Sequence, residues 1–78
     1  MADLKETLTG IVRAIVDHPD EVVVTEEVNS SSIELTLNVA PDDMGMVIGR
    51  HGRIAKAIRT VIKAAAAGSG KKVNVEIR

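Results

Sequence analysis

The sequence predicts an α+β domain in the order helix, strand, strand, helix, helix, strand, with a three-stranded mixed sheet and its helices packed on one face. Three observations carry the prediction. Apolar residues recur at helical spacing in two long segments. They alternate with polar residues in three short ones. The last strand follows a helical crossover, which can return the chain parallel to the strand it left. The 78 residues suffice for one domain, taken as residues 1–78, and are too few for two.

Leu4, Leu8, Ile11, Val12, Ile15 and Val16 predict a first helix over residues 3–17, with Asp3 placed to accept from the free amides of its first turn. Asp17-His18-Pro19-Asp20 closes it, because proline disfavours helical geometry in the residue before it. Gly10 inside this helix weakens it by roughly 0.5–1 kcal/mol relative to alanine and suggests close packing of another element. Val22, Val24 and Val28, then Ile33, Leu35, Leu37 and Val39 across Asn29-Ser30-Ser31-Ser32, predict a hairpin of half-buried strands. Val73, Val75 and Ile77 repeat the alternation in a third strand. Between the second and third strands, Pro41 leads into a short helix over 42–48, where Asp42 and Asp43 are expected to cap and complement the dipole. A long helix follows from Gly52 to about Ala67, stopped by Gly68-Ser69-Gly70. Its expected apolar stripe is Ile54, Ile58, Val61, Ile62 and Ala65, with Arg53, Lys56, Arg59 and Lys63 largely elsewhere on its surface.

The join between these two helices, Val47-Ile48-Gly49-Arg50-His51-Gly52-Arg53-Ile54, carries the chemistry. Two glycines leave the backbone without Cβ atoms, so a phosphodiester can approach closely, and the amides opening the following helix point outward as donors. Arg50 and His51 occupy the tip as phosphate contacts that carry no base identity, and Arg53 and Lys56 stand behind them. Arg59 and Lys63, further along the helix, raise the field. Two roles stay open for Ile48, Ile54 and Val39: lining an apolar groove under bases, or packing in the core.

The net charge of −1 hides a division. Residues 1–43 hold ten acids against Lys5 and Arg13, whereas residues 44–78 hold eight bases against Glu76 alone. A polyanion within a Debye length feels the local patch, so the overall charge does not argue against nucleic acid. Mutual attraction of the two halves, or two separately solvated faces, is the alternative reading.

The element order and the apolar-Ile-Gly-x-x-Gly signature at 47–52 resemble the type II KH domain. The tract Ile48-Gly49-Arg50-His51-Gly52-Arg53-Ile54-Ala55-Lys56-Ala57-Ile58-Arg59-Thr60-Val61 resembles, more narrowly, the KhpA family of small bacterial single-domain KH proteins. The resemblance implies single-stranded RNA as ligand, clamped over about four nucleotides by Ile48, Gly49, Arg50, His51, Gly52, Arg53, Ile54 and Lys56. It also implies a homodimer or a heterodimer with a larger KH-domain protein. Its biological side is an RNA chaperone role in post-transcriptional control, linked to cell shape and envelope growth. One departure stands out: many KH domains carry a large apolar residue three positions after the second glycine, where this chain has Ala55, with Ile54 one position early. The start of the long helix is therefore expected to be rotated or packed differently.

Other classes fit poorly. The chain has no aromatic residue, which disfavours modules that stack bases on Phe or Tyr and implies weak affinity for a few nucleotides unless a partner raises the effective concentration. Without cysteine there are no disulfides and no thiolate sites. Gly68-Ser69-Gly70-Lys71-Lys72 imitates a P-loop, yet Ala65 stands where the upstream glycine belongs and Lys72 where a magnesium-binding hydroxyl belongs. Neither His18 nor His51 has a motif partner, so no catalytic residue, metal or cofactor is expected. The start, Met1 to Glu6, lacks the apolar run of a signal peptide, and no segment approaches the roughly 20 apolar residues of a membrane span. A soluble cytoplasmic protein is expected. The rival reading is a KH-shaped protein-interaction module with little intrinsic RNA binding.

Overall fold

Leu4, Leu8 and Val12 line the buried face of the first helix, α1 (Leu4–Arg13), in a computed structural model that describes residues 3–78; Met1 and Ala2 lie outside the described residues. Asp3 caps the helix as expected, its Oδ1 accepting from the Glu6 amide at 3.2 Å. The helix stops at Arg13, short of the predicted residue 17. The reason is a change of partner: the Ile15 and Val16 amides both return to the Val12 carbonyl, and those of Asp17 and His18 leave the helix for the Asp43 carboxylate. Gly10 is exposed and a Cβ there would meet nothing within 4 Å, so the expected close packing is absent.

The hairpin consists of β1 (Val23–Val28) and β2 (Ser32–Asn38), antiparallel with Val24 opposite Leu37 and Val28 opposite Ile33. Asn29 fixes the turn, its Oδ1 accepting the Ser31 and Ser32 amides at 3.0 and 2.8 Å. The last strand, β3 (Lys72–Ile77), lies parallel to β2 with Leu35 opposite Val75, giving the sheet order β1-β2-β3 and a mixed sheet as predicted. Alternation places Val24, Ile33, Leu35, Leu37, Val73 and Val75 in the core. Val28, expected to be half-buried, is 53% exposed at the hairpin end of the edge strand.

Two helices fill the crossover. A 3-10 turn over Pro41–Asp43 opens into α2 (Met44–Ile48), and after a second turn comes α3 (Arg53–Ala65). Their core side chains are Val47 from α2 and Ala55, Ile58, Ile62 and Ala66 from α3 and its end, packed on the same sheet face as α1. The predicted stripe of α3 is thus corrected: Ile54, Val61 and Ala65 face outward, and Ala55 and Ala66 take core places. Alanine there lets the helix lie close to the sheet.

Asp43 departs most from expectation. Its side chain caps neither helix, is completely buried, and accepts from the Asp17 amide at 3.1 Å, the His18 amide at 3.0 Å and His18 Nδ1 at 3.1 Å. His18 therefore has a partner after all, from a segment 25 residues away. Burial pushes the Asp43 carboxyl up, but the two backbone donors and the imidazole together outweigh it and hold it below its ordinary value of 3.8. The hydrogen bond to Asp43, then its charge, raises His18 above its ordinary 6.5.

Two predictions follow from these contacts. Leu37→Ala, at a side chain with no exposure, should lower unfolding free energy by about 2–5 kcal/mol, whereas Val23→Ala on the open face should change it little; urea titration followed by far-ultraviolet circular dichroism, suited to a chain without tryptophan, separates them. A raised His18 contributes stability that is full below 6.5 and fades as pH climbs through its folded value; a depressed Asp43 contributes stability that is full above 3.8 and fades as pH drops through its folded value. Melting temperature should therefore fall on both sides of that window, and His18→Ala should flatten the alkaline limb without removing the acid one.

Candidate nucleic-acid interface

Helix α2 ends because Gly49 takes φ +74° and ψ 172°, a conformation open to glycine, while its amide donates back to the Gly45 carbonyl at 2.9 Å. A tight turn over Arg50–Gly52 follows, closed by the Gly52 amide on the Gly49 carbonyl at 3.1 Å. His51, at φ 58° and ψ 25°, is the non-glycine residue in left-handed geometry, and Gly52 adopts it too before α3 begins.

The two glycines do different things. A Cβ on Gly49 would stand 2.5 Å from Ile54 Cγ1 and 2.8 Å from Ile54 Cβ. Its bare backbone is therefore occupied by the protein's own isoleucine, and the sequence reading that both glycines expose main chain is corrected for this one. Around Gly52 a Cβ would meet nothing within 4 Å. The open main chain lies at Gly52, directly at the N-terminus of α3, where among the described residues no side chain caps the first-turn amides. The early position of Ile54 is explained by the same contact: it turns back onto Gly49 while Ala55 enters the core.

Arg50, His51, Arg53 and Lys56 are all exposed around this opening, and Ile48 and Ile54 are exposed by 40% and 38%. Neither isoleucine is a core residue; Val39 is half-buried against the core. Among the described residues the ion pairs are His18–Asp43 and Arg78–Glu76, so the cations of the turn and of α3 are not neutralised by the acidic half of the chain. Beyond the turn, α3 presents three flanks. Ala55, Ile58 and Ile62 face the sheet. Ile54, Ala57 and Val61 join Ile11 of α1 and Ile15 just beyond its end around a shallow apolar groove. Lys56, Arg59 and Lys63, at helical spacing below Gly52, occupy the flank nearest β3, where Arg59 Nε–H donates to the Val75 carbonyl at 3.2 Å. Sequence reasoning missed this anchoring of Arg59, just as it missed the role of Asp43, because both partners are distant in the chain.

A mixed three-stranded sheet covered on one face, with a Gly-x-x-Gly turn joining two helices of the crossover, defines a KH domain of type II. The family model described as "KhpA/KhpB, KH domain" matches residues 5–77. Proteins called RNA-binding protein KhpA are similar along almost their whole length. That of Clostridium acetobutylicum is 60% identical over 74 residues, covering 95% of this chain and 99% of the relative. That of Caldanaerobacter subterraneus is 54% identical over 72 residues, with 92% and 96% covered. That of Listeria monocytogenes is 46% identical over 74 residues, with 95% and 97% covered. The chain belongs to the KhpA/KhpB KH-domain family. That family is non-enzymatic. Among the described residues no group of three or more His, Cys, Asp or Glu side chains is placed to hold a metal, and no helix is long and apolar enough to cross a membrane.

The unequal glycines give a prediction. Gly52→Ala should lose about 1–2 kcal/mol, the expense of left-handed geometry with a Cβ, whereas Gly49→Ala must also displace Ile54 and should lose clearly more; thermal melts of the two variants test the order.

Proposed function

We propose that this chain binds single-stranded RNA by laying a stretch of about four nucleotides over the Arg50–Gly52 turn. The observation that carries the reading is the open, left-handed backbone at Gly52, set at the uncapped start of a helix and ringed by exposed, unpaired cations. Gly52 and the first amides of α3 receive the phosphate, Arg50, Arg53 and Lys56 supply charge, His51 adds a hydrogen-bonding ring at the tip, and Ile48 and Ile54 form the apolar floor beside the turn. Gly49 acts by seating Ile54. The relatives' shared description as RNA-binding proteins supports the ligand class. On the same resemblance the chain acts in the cytoplasm as an RNA chaperone in post-transcriptional regulation, as a homodimer or with a larger KH-domain protein, in a process that bears on cell shape and envelope growth.

A second reading, a protein-interaction module with little RNA binding, is favoured by one observation. Val61 is 48% exposed, and together with Ile54, Ile11 and Ile15 it gives this small protein an apolar groove on the flank of α3 opposite Lys56, Arg59 and Lys63, with Arg53 among its lining residues.

Fluorescence anisotropy with a labelled single-stranded RNA separates the two. Gly52→Asp is the variant of choice, since aspartate tolerates left-handed geometry and the space around Gly52 is open, whereas aspartate at Gly49 would collide with Ile54. Affinity should fall about tenfold or more in Gly52→Asp, and wild-type binding should weaken as salt is added. Equal affinities would favour the interaction module, for which the wild type sediments as a dimer and Val61→Asp as a monomer.

A further inference from the structure

The P-loop imitation at Gly68-Ser69-Gly70-Lys71-Lys72 has no enzymatic use, yet the fold gives it a place. The chain turns there from the end of α3 into β3, and the turn closes on itself. The Ser69 amide and hydroxyl both donate to the Ala66 carbonyl, at 2.9 and 2.8 Å, and the Lys71 amide donates to Ser69 Oγ at 3.2 Å. The Ala66 carbonyl, near the negative end of the α3 dipole, is thereby satisfied internally. Beside this turn lies a concavity of about 300 Å³ bounded by Lys63, Lys71 and Lys72, with Ala66, Gly70 and Val73 among its walls. Three lysines are among the residues that line it and no acid is. Among the described residues none of these lysines is in an ion pair.

Its position is as informative as its charge. Lys63 belongs to the flank of α3 that starts at Gly52 and continues through Lys56 and Arg59, and it lies eleven helical steps on from Gly52, or about 16 Å along the axis. That flank borders the outer edge of β3, to which Arg59 is tied at Val75, and Val73 on the same strand walls the concavity. The two glycine-bearing turns are therefore the ends of one cationic track rather than unrelated loops.

We propose that Lys63, Lys71 and Lys72 form a second phosphate-binding pocket, which takes a backbone phosphate of the same single strand held at Gly52 and lengthens the footprint beyond the four-nucleotide clamp. The inference rests on the RNA-binding reading above. Arg59, its Nε bonded to Val75, has no partner for its guanidinium Nη groups among the described residues and bridges the two ends. Because the pocket holds only phosphate, it adds length and salt dependence without base preference.

The experiment is anisotropy with labelled oligouridylates of about four and about ten nucleotides, lengths that fit the clamp alone and the clamp plus the track. It compares wild type, the triple variant Lys63→Gln, Lys71→Gln, Lys72→Gln, and a control that removes two positive charges elsewhere, Lys5→Gln with Arg13→Gln on α1, each checked for folding by circular dichroism. On the long oligomer the triple variant should bind about tenfold more weakly than wild type and lose about 2 from the slope of log affinity against log salt, three contacts at about 0.7 each for a single strand. On the short oligomer the two should agree within about twofold, and the control should keep the wild-type slope. Equal long-oligomer affinity in the triple variant, with Gly52→Asp still defective, overturns the pocket and leaves the clamp standing. An equal loss on both oligomers, or the same loss in the control, also overturns the pocket, because the effect is then one of overall charge. No wild-type binding to either oligomer overturns the clamp and the pocket together.

Discussion

The seam that Ala55, Ile58, Ile62 and Ala66 press against the sheet fixes the rotation of α3, and the rest of the surface depends on that rotation. Alanine at two of the four positions allows close approach without overfilling the core. With the seam set, the remaining residues divide by helical spacing into an apolar flank toward α1 and a cationic flank toward β3, and Gly52 is left at the head of the cationic one. A large side chain at residue 55 would push the helix start away from the sheet. Ile54 would then lose its seat on Gly49, and the turn its shape.

Asp43 holds the other side of the assembly. One fully buried carboxylate joins the chain leaving α1 to the turn that opens α2, which in turn delivers Ile48 and Gly49 to the join. A buried ionised group is tolerated because every donor it needs is in place, two from the main chain and one from His18. Removing those donors would leave a charge where water cannot reach it. The carboxylate thus ties the start of α2 to the segment that leaves α1.

The alternating strands, the order of the elements and the mixed pairing of the sheet were legible because they rest on periodicity and on one topological rule. The Gly-x-x-Gly join was legible as a turn, and its resemblance to the KH domain located it correctly in the fold. The division of labour between Gly49 and Gly52 was not, since it depends on where Ile54 points once Ala55 is committed to the core. The role of Asp43 and the anchoring of Arg59 were missed for a common reason. Local sequence suggested a cap for one and a solvated charge for the other, whereas their partners lie 25 or 26 and 16 residues away. Helix boundaries slipped for the same cause, the last amides of α1 being claimed by a distant acceptor.

The open face of the sheet has a consequence for how the molecule meets a polyanion. Glu27 and Glu34 sit opposite one another there, with Glu76 further along, on the side of the sheet that the helices leave bare. With near-zero total charge the protein gains almost no long-range pull toward a strand. The separated charges act as a compass needle instead, turning the molecule during the last nanometre of approach so that its sheet is repelled and its long helix drawn in. Orientation, rather than capture from a distance, is what this charge pattern selects.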